Sequence, residues 1–390
     1  MTSQLPDHDT APAAGSQLRW LLMASHVAAG GAGGGIVRYT VELARSLNRD
    51  PGIELHVLCE AEAAEWWTAE LGSTDRVHPL PGLPTPALSF LERRGWVLPD
   101  LRFDVVQGAK HLIPPATGAL RLLTVHDMLP LDRPLDFGLA KRTLLRAPYL
   151  HSIEEADLLA CVSNATRARV LAYIPSAAAH AEVVQLATSR ALLNASSTPV
   201  KVLDGQRFAL VVGDQSPRKN LPLVIGAWAS VIDRVPEAKL AVVGPSGWGT
   251  TSLGDQVSML EARGALHLLG HVDDDELRWC YENAAVAAMP SLLEGFGLPA
   301  VEARAFGTPL ITSEDPALCE AADGYGTVVP TTRQDMWVDS LTAAVSSGAR
   351  SSPTVPAVAR TWDDVANETV AIVRTALNRP ASGTGDDDES

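Results

Sequence analysis

The chain lacks the raw material for several kinds of protein. Its four cysteines, Cys59, Cys161, Cys280 and Cys319, lie far apart with no CxxC spacing, which leaves neither a zinc site nor a disulfide framework. Three of them sit beside apolar runs, where buried thiols are ordinary. Its longest apolar runs are about five to eight residues, roughly a third of the ~20 that a membrane-spanning helix needs. The opening MTSQLPDHDTAPAAGSQ has neither the basic start nor the apolar segment of a secretory signal. Positive charge is also short: the formal net charge is −15, the wrong sign for nucleic acid as a partner. HExxH, paired metal histidines and GxSxG are all missing, so metalloprotease and serine-hydrolase chemistry has no foothold. A cytoplasmic protein fits these absences best.

What is present reads as two globular domains. The 390 residues are 46% hydrophobic and 20% charged, enough chain for two separate cores. Short apolar runs alternate with longer helix-compatible stretches, the pattern of parallel βαβ units. The first series is 18–24, 55–59, 103–107, 121–125, 157–162 and 182–186. The second is 208–213, 239–244, 265–270, 285–289, 309–312 and 327–329. Their near-continuous apolar character suits strands covered on both faces. The expected organisation is a disordered leader (1–16), a Rossmann-like domain (17–190), a linker (191–206) and a second Rossmann-like domain (207–360). An amphipathic helix (361–379) and a disordered acidic tail (380–390) follow. Open α/β sheets bind ligands beyond the carboxyl ends of their strands, so two facing sheets would share one cleft.

Several segments carry chemistry into that cleft. Gly30 to Gly35 form a glycine-rich loop before a helix-like stretch, and Gly34 and Gly35 would let the backbone approach an anion. A dinucleotide fingerprint is the rival reading, with Glu60 as a ribose ligand. However, Arg38 stands where the third glycine of that fingerprint belongs. Ser291-Leu-Leu-Glu294-Gly295-Phe296-Gly297-Leu298-Pro299-Ala-Val-Glu302 offers a tight exposed turn, then a short helix ending at Phe306 with Gly307 as its cap. Backbone amides of 295–298 would face a diphosphate or sugar oxygens, and Glu294 and Glu302 could each accept from a hydroxyl pair. Arg218 and Lys219 follow the run ending at Gly213 and are cations suited to a departing diphosphate. His126 closes another run, and Asp127 beside it could orient the ring or bind acceptor. Asp273 to Asp275 hint at a metal-binding acidic motif, but Asp273 with Glu276 is better explained as a capping box. Arg93-Arg94 beside Trp96, and Lys141-Arg142 with Arg146, are candidates for docking on an anionic membrane surface.

The E-x7-E element and the EGFGLP string resemble the donor-binding signature of the family 4 glycosyltransferases of GT-B fold. The likeness extends through Gly270 to Asn283, Gly307 to Thr312, Glu320, and Gly34-Gly35-Ile36 with Arg38-Tyr39-Thr40, the last resembling the mannosyltransferase-like subgroup. It implies an α/β protein with two Rossmann-like domains facing across a cleft. It also implies retaining, metal-independent transfer with no cofactor besides a nucleotide diphosphate sugar; the subgroup resemblance favours GDP-mannose, with a UDP- or dTDP-sugar as the next choice. The acceptor would be a glycan, a lipid-linked sugar or a small molecule, and the inner face of the membrane a place of work. By the same resemblance His126, Glu294, Lys219 and Arg218 would act at the reacting centre. Gly34, Gly35, Ser291, Gly295, Phe296, Gly297, Leu298 and Glu302 would hold the donor. Asp214 departs from the family, which commonly has arginine after the glycine matching Gly213; a carboxylate there should turn away from a diphosphate. Val37 for a glycine and the missing asparagine-glycine near residue 187 are lesser departures. Alternatives are a sugar-nucleotide epimerase on the same scaffold, a non-catalytic nucleotide-sugar-binding homologue and a dinucleotide oxidoreductase.

Overall fold

The computed structural model describes residues 17–379 except 32, 84, 246–253 and 348–359. The leader and the acidic tail expected from the sequence lie outside the described residues.

Among the described residues, thirteen short strands form two parallel sheets. The first contains β1 (Leu18–Met23), β2 (Ile53–Cys59), β3 (Val77–Pro79), β4 (Val105–Gly108), β5 (Leu120–Val125), β6 (Leu158–Cys161) and β7 (Ala181–Val183), in the order β3-β2-β1-β4-β5-β6-β7. Its helices are α1 (Gly35–Arg49), α2 (Ala64–Leu71), α3 (Thr85–Arg93), α4 (Leu129–Asp132), α5 (Leu139–Glu155) and α6 (Asn164–Tyr173). The second sheet contains β8 (Phe208–Val212), β9 (Lys239–Val243), β10 (Leu266–Gly270), β11 (Val286–Met289), β12 (Leu310–Thr312) and β13 (Thr327–Val328), in the order β10-β9-β8-β11-β12-β13. Around it stand α7 (Arg190–Asn194), α8 (Leu221–Arg234), α9 (Gly254–Ala262), α10 (Asp274–Asn283), α11 (Leu298–Ala305), α12 (Pro316–Ala322) and α13 (Gln334–Ser346). Last comes α14 (Trp362–Leu377).

Both sheets are covered on both faces, which is why their strands read as unbroken apolar runs. Along β1, Trp20 and Leu22 enter one core while Leu21 and Met23 enter the opposite one, the period of two that a pleated strand imposes. In β8, Ala209 and Val211 face one core and Phe208 and Leu210 the other. The sequence reading missed only β3, whose three residues Val-His-Pro are too few to show a pattern. Cys59, Cys161 and Cys280 are buried free thiols.

The stretch expected to be a plain linker is partly built into the second domain. Residues 190–194 form α7, and Leu192, Val200 and Leu203 are buried in the core beneath β8. The final helix crosses back: Trp362, Val365, Ala366, Val370 and Val373 of α14 complete the core of the first domain beside α1. Its start is fixed by a reciprocal capping box between Thr361 and Asp364. At α10 the expected box is half formed. Asp273 accepts from the Glu276 amide at 2.8 Å, but the return bond is not made.

Trp362 is 1% exposed, so Trp362→Ala should destabilise the first domain by about 3–5 kcal/mol. Urea denaturation followed by intrinsic fluorescence would measure it.

Candidate active site

Each sheet reverses strand order once, between β1 and β4 and between β8 and β11. At such a switch point the loops on either side splay apart and open a crevice. The loops after β1 and β4 supply Ser25, His26, Lys110 and His111 to a cavity of about 870 Å3 between the domains, which Arg218 and Asp214 reach from the other side. The loops after β8 and β11 bring together Arg218, Lys219, Ser291 and Glu294.

Those four residues form one knot. Glu294 Oε1 accepts from Lys219 Nζ at 2.6 Å and from the Ser291 hydroxyl at 2.7 Å, and Oε2 accepts from Arg218 at 2.7 Å. Burial alone would raise the Glu294 pKa; Lys219 and Arg218 override it and hold the group at about 2. Burial would lower the Arg218 pKa, but Glu294 drives it above the usual arginine value. The short 3-10 turn Pro217–Lys219 presents both cations, and it ends at Asn220 with φ +52°, where the side chain donates to the Pro290 carbonyl at 3.2 Å. The Leu292 amide donates to the Arg218 carbonyl at 2.7 Å. The two loops are therefore laced together before any ligand enters.

The Gly295-Phe296-Gly297 turn does two jobs. Gly297, at φ +98°, is the N-cap of α11, and Phe306 with Gly307 ends that helix as expected. Among the described residues no partner accepts from the amides of 295–298. The turn also docks on the first domain. A Cβ on Gly295 would lie 1.6 Å from the His126 carbonyl oxygen, so only glycine permits the approach. Ser163 and Thr166 donate to the Gly295 carbonyl, Thr166 at 2.8 Å. Arg169 reaches the Glu294 carbonyl and pairs with Asp315 at 2.7 Å. Phe296, expected among the donor-binding residues, turns its side chain away from the cavity. It is 7% exposed inside the hydrophobic core of the first domain, because an aromatic ring gains more there than in a polar crevice.

Other expectations fare differently. Glu302 is buried, but its partners are Arg38 at 2.9 Å and the Tyr281 hydroxyl at 2.7 Å; Arg38 also pairs with Asp274 at 3.1 Å. The residue that spoils a dinucleotide fingerprint thus bridges the domains. His126 is 8% exposed, its Nε2 is 3.0 Å from the Ala109 carbonyl, and burial lowers its pKa. Asp127 does not orient that ring. Its Oδ1 caps the Leu129 amide at 3.0 Å, and the Ala109 carbonyl orients the imidazole instead. Asp214 turns back on its own loop, accepting from the Ser216 hydroxyl at 2.6 Å, yet still borders the cavity. Of the expected site residues, Gly34, Gly35 and Arg218 line the cavity itself, while Ser291, Glu294 and Lys219 stand behind Arg218. Leu298, at the start of α11, is 3.6 Å from where a Gly35 Cβ would sit. Sequence reasoning missed Arg169 and the clamp by which Glu320 binds the amides of Asn164 and Ala165 at the start of α6. Among the described residues no cluster of His, Cys, Asp or Glu is placed to hold a metal. Asp273 to Asp275 work instead as a helix cap, a partner for Arg38 and an acceptor for the Ser196 amide.

Two family models match nearly end to end: Glycosyltransferase Family 4 over residues 33–187 and Glycosyl transferases group 1 over residues 196–354. The chain belongs to the family 4 glycosyltransferases. O-antigen chain mannosyltransferase B of Escherichia coli is 28% identical over 60% of this chain and 64% of its own length. D-inositol 3-phosphate glycosyltransferase of Kineococcus radiotolerans is 31% identical over 46% of each. The chain thus spans less than two thirds of those two relatives. MMP alpha-(1->4)-mannosyltransferase of Mycolicibacterium hassiacum is 28% identical over 77% of this chain and 78% of its own. Among solved structures, sucrose-phosphate synthase of Thermosynechococcus elongatus superposes with a TM-score of 0.64 at 18% identity, over 93% of this chain and 95% of that one. The fold of this family 4 chain is GT-B.

Glu294 makes acid stability measurable. Its carboxyl is held below the ordinary 4.5 at about 2. Its contribution is therefore present above pH ~4.5 and lost as pH falls toward 2, on the order of 3 kcal/mol in all. Glu294→Gln should be less stable at pH 7 and show a flatter acid limb across that window in pH-dependent urea titrations. Gly295→Ala should force the domains apart, giving a larger radius of gyration in solution X-ray scattering. An unchanged scattering curve would show that the turn relaxes locally.

Proposed function

We propose that the chain is a retaining, metal-independent hexosyltransferase that moves mannose from GDP-mannose to a glycan, lipid-linked or small-molecule acceptor. The observation that carries this reading is the buried Glu294 knot, which holds Arg218 and Lys219 at the switch point of the second sheet with Arg218 facing the cavity. A sugar nucleotide reacts by breaking the bond between its anomeric carbon and a phosphate oxygen, and negative charge grows on the departing diphosphate. Two cations and the unpartnered amides of 295–298 are suited to receive that charge. The acceptor hydroxyl forms the new bond to the anomeric carbon on the face the diphosphate leaves, and its proton passes to the leaving phosphate oxygen. Retention follows from that same-face course, which the family resemblance favours. Mannose is favoured by relatives named as mannosyltransferases.

Peripheral contact with a membrane belongs to the same reading. No helix among the described residues is long and apolar enough to cross a bilayer. At the end of α3, however, Phe90 and Trp96 are 50% and 67% exposed and pack edge to face, with the Arg94 guanidinium 5.2 Å over Phe90. Exposed aromatics beside cations suit the interface of anionic lipid. Of the second basic group, Arg146 is exposed, whereas the side chains of Lys141 and Arg142 lie outside the described residues.

Lys219→Ala should lower kcat for mannosyl transfer from GDP-mannose by about 10²–10³-fold, the usual cost of one donor to a developing anion. GDP release with acceptor present measures it, and wild-type turnover in that variant would remove the diphosphate site from consideration. A panel of UDP- and dTDP-sugars in the same assay tests the choice of donor.

A further inference from the structure

Helix α6 of the first domain grips the turn that carries the second domain's open amides. Ser163 is its N-cap, and Thr166 and Arg169 follow three residues apart, so the side chains share one face of the helix. Ser163 and Thr166 donate to the Gly295 carbonyl, Thr166 at 2.8 Å, and Arg169 Nη1 donates to the Glu294 carbonyl. Two consecutive carbonyls of the second domain are thus drawn toward the first.

The Arg169 guanidinium is held in place for that contact. Its Nη2 donates to Asp315 Oδ2 at 2.7 Å, and its Nε lies 3.6 Å from Asp132 Oδ2. Asp315 uses its other oxygen to cap α12, accepting from the Ala317 and Leu318 amides at 3.0 and 3.2 Å. Carboxylates from both domains therefore flank one cation, and Nη1 is left for the carbonyl.

A peptide group is planar, and in the trans form its N–H points opposite to its C=O. The peptides among the described residues are all trans. Holding the Glu294 carbonyl on α6 therefore turns the Gly295 N–H away from α6. Holding the Gly295 carbonyl does the same to the Phe296 N–H. Both residues are buried, yet neither amide has an acceptor among the described residues. A buried N–H left open costs free energy until something accepts from it.

We propose that Arg169 is a positioning residue for transfer: reaching across from the first domain, it fixes the Glu294 carbonyl so that the Gly295 amide is aimed at the departing diphosphate. This role rests on the transferase reading above. The amide belongs to one domain and its aim to the other, so the group that receives the charge is set only while α6 touches the turn.

Each amide can be watched alone, because Glu-Gly and Gly-Phe each occur once in the chain, at 294–295 and 295–296. Carbonyl-labelled glutamate with nitrogen-labelled glycine leaves the Gly295 amide alone in a carbonyl-filtered NMR spectrum. Carbonyl-labelled glycine with nitrogen-labelled phenylalanine does the same for Phe296. Of GDP, UDP and dTDP, the nucleotide of the true donor should shift both signals of the full chain. In Arg169→Met the Gly295 response should fall about threefold or more, the effect of losing one charged donor to a carbonyl. The Phe296 response, whose peptide Ser163 and Thr166 still hold, should persist. Arg169→Lys keeps a cation beside Asp315 and a donor for the carbonyl, and should recover most of the Gly295 response. With the matching sugar nucleotide, kcat should fall about tenfold in Arg169→Met at unchanged KM, because the amide acts on charge that grows in the transition state. A wild-type Gly295 response in Arg169→Met would overturn the proposal. So would equal loss of both signals, the mark of a contact that merely keeps the domains together. If no nucleotide moved either signal in the wild type, the diphosphate site itself would fall, taking the transferase reading and this role together.

Discussion

A carboxylate withdrawn from water must be neutralised where it stands, and Glu294 is neutralised twice, by Lys219 and by Arg218. Removing Glu294 would leave Arg218 and Lys219 facing each other without a counter-charge, a larger loss than the pairs are worth in themselves. The knot fixes the loop after β8 against the loop after β11, and through the Glu294 carbonyl it is tied to Arg169 of the first domain. Domain contact, cation placement and the geometry of the following glycine turn all follow from that one arrangement.

The contact between domains is polar and specific rather than broad and greasy. The start of α6 gives its amides to Glu320, a carboxylate at a helix N-terminus that also meets the positive end of the helix dipole. Gly295 lets two backbones touch where any side chain would hold them apart. Phe296 adds an apolar anchor, with Leu298 and Val301 packed against the same core. Parting the domains would break these polar contacts and withdraw Phe296 from the first core.

Much of this was legible in the sequence, and the parts that were not share a cause. Strands β1, β2 and β8 announce themselves because burial on two faces makes most of their residues apolar, whereas β3 is too short to carry a pattern. The EGFGLP turn is legible because its glycines and proline are demanded by backbone geometry, as Gly297 at φ +98° bears out. What escaped were partners: Arg38 with Glu302, Arg169 with Asp315, and the return of α14 to the first domain. These pairings join residues more than a hundred positions apart, and periodicity and capping rules act only over a turn or two. The burial of the Phe296 ring in the first domain was hidden for the related reason that a motif gives a residue's address but not the direction of its side chain.

Arg38 lends the closed arrangement a built-in toll. Its guanidinium occupies Glu302, the carboxylate expected from the sequence to accept from a hydroxyl pair, and it comes from the opposite wall. Any ligand that used Glu302 would trade places with that cation instead of filling a vacancy, so its observed affinity would be the intrinsic value scaled by the fraction of molecules whose wall has swung back. Whatever loosens Arg38, including a change at its second anchor Asp274, would then alter affinity for a ligand that neither residue needs to touch.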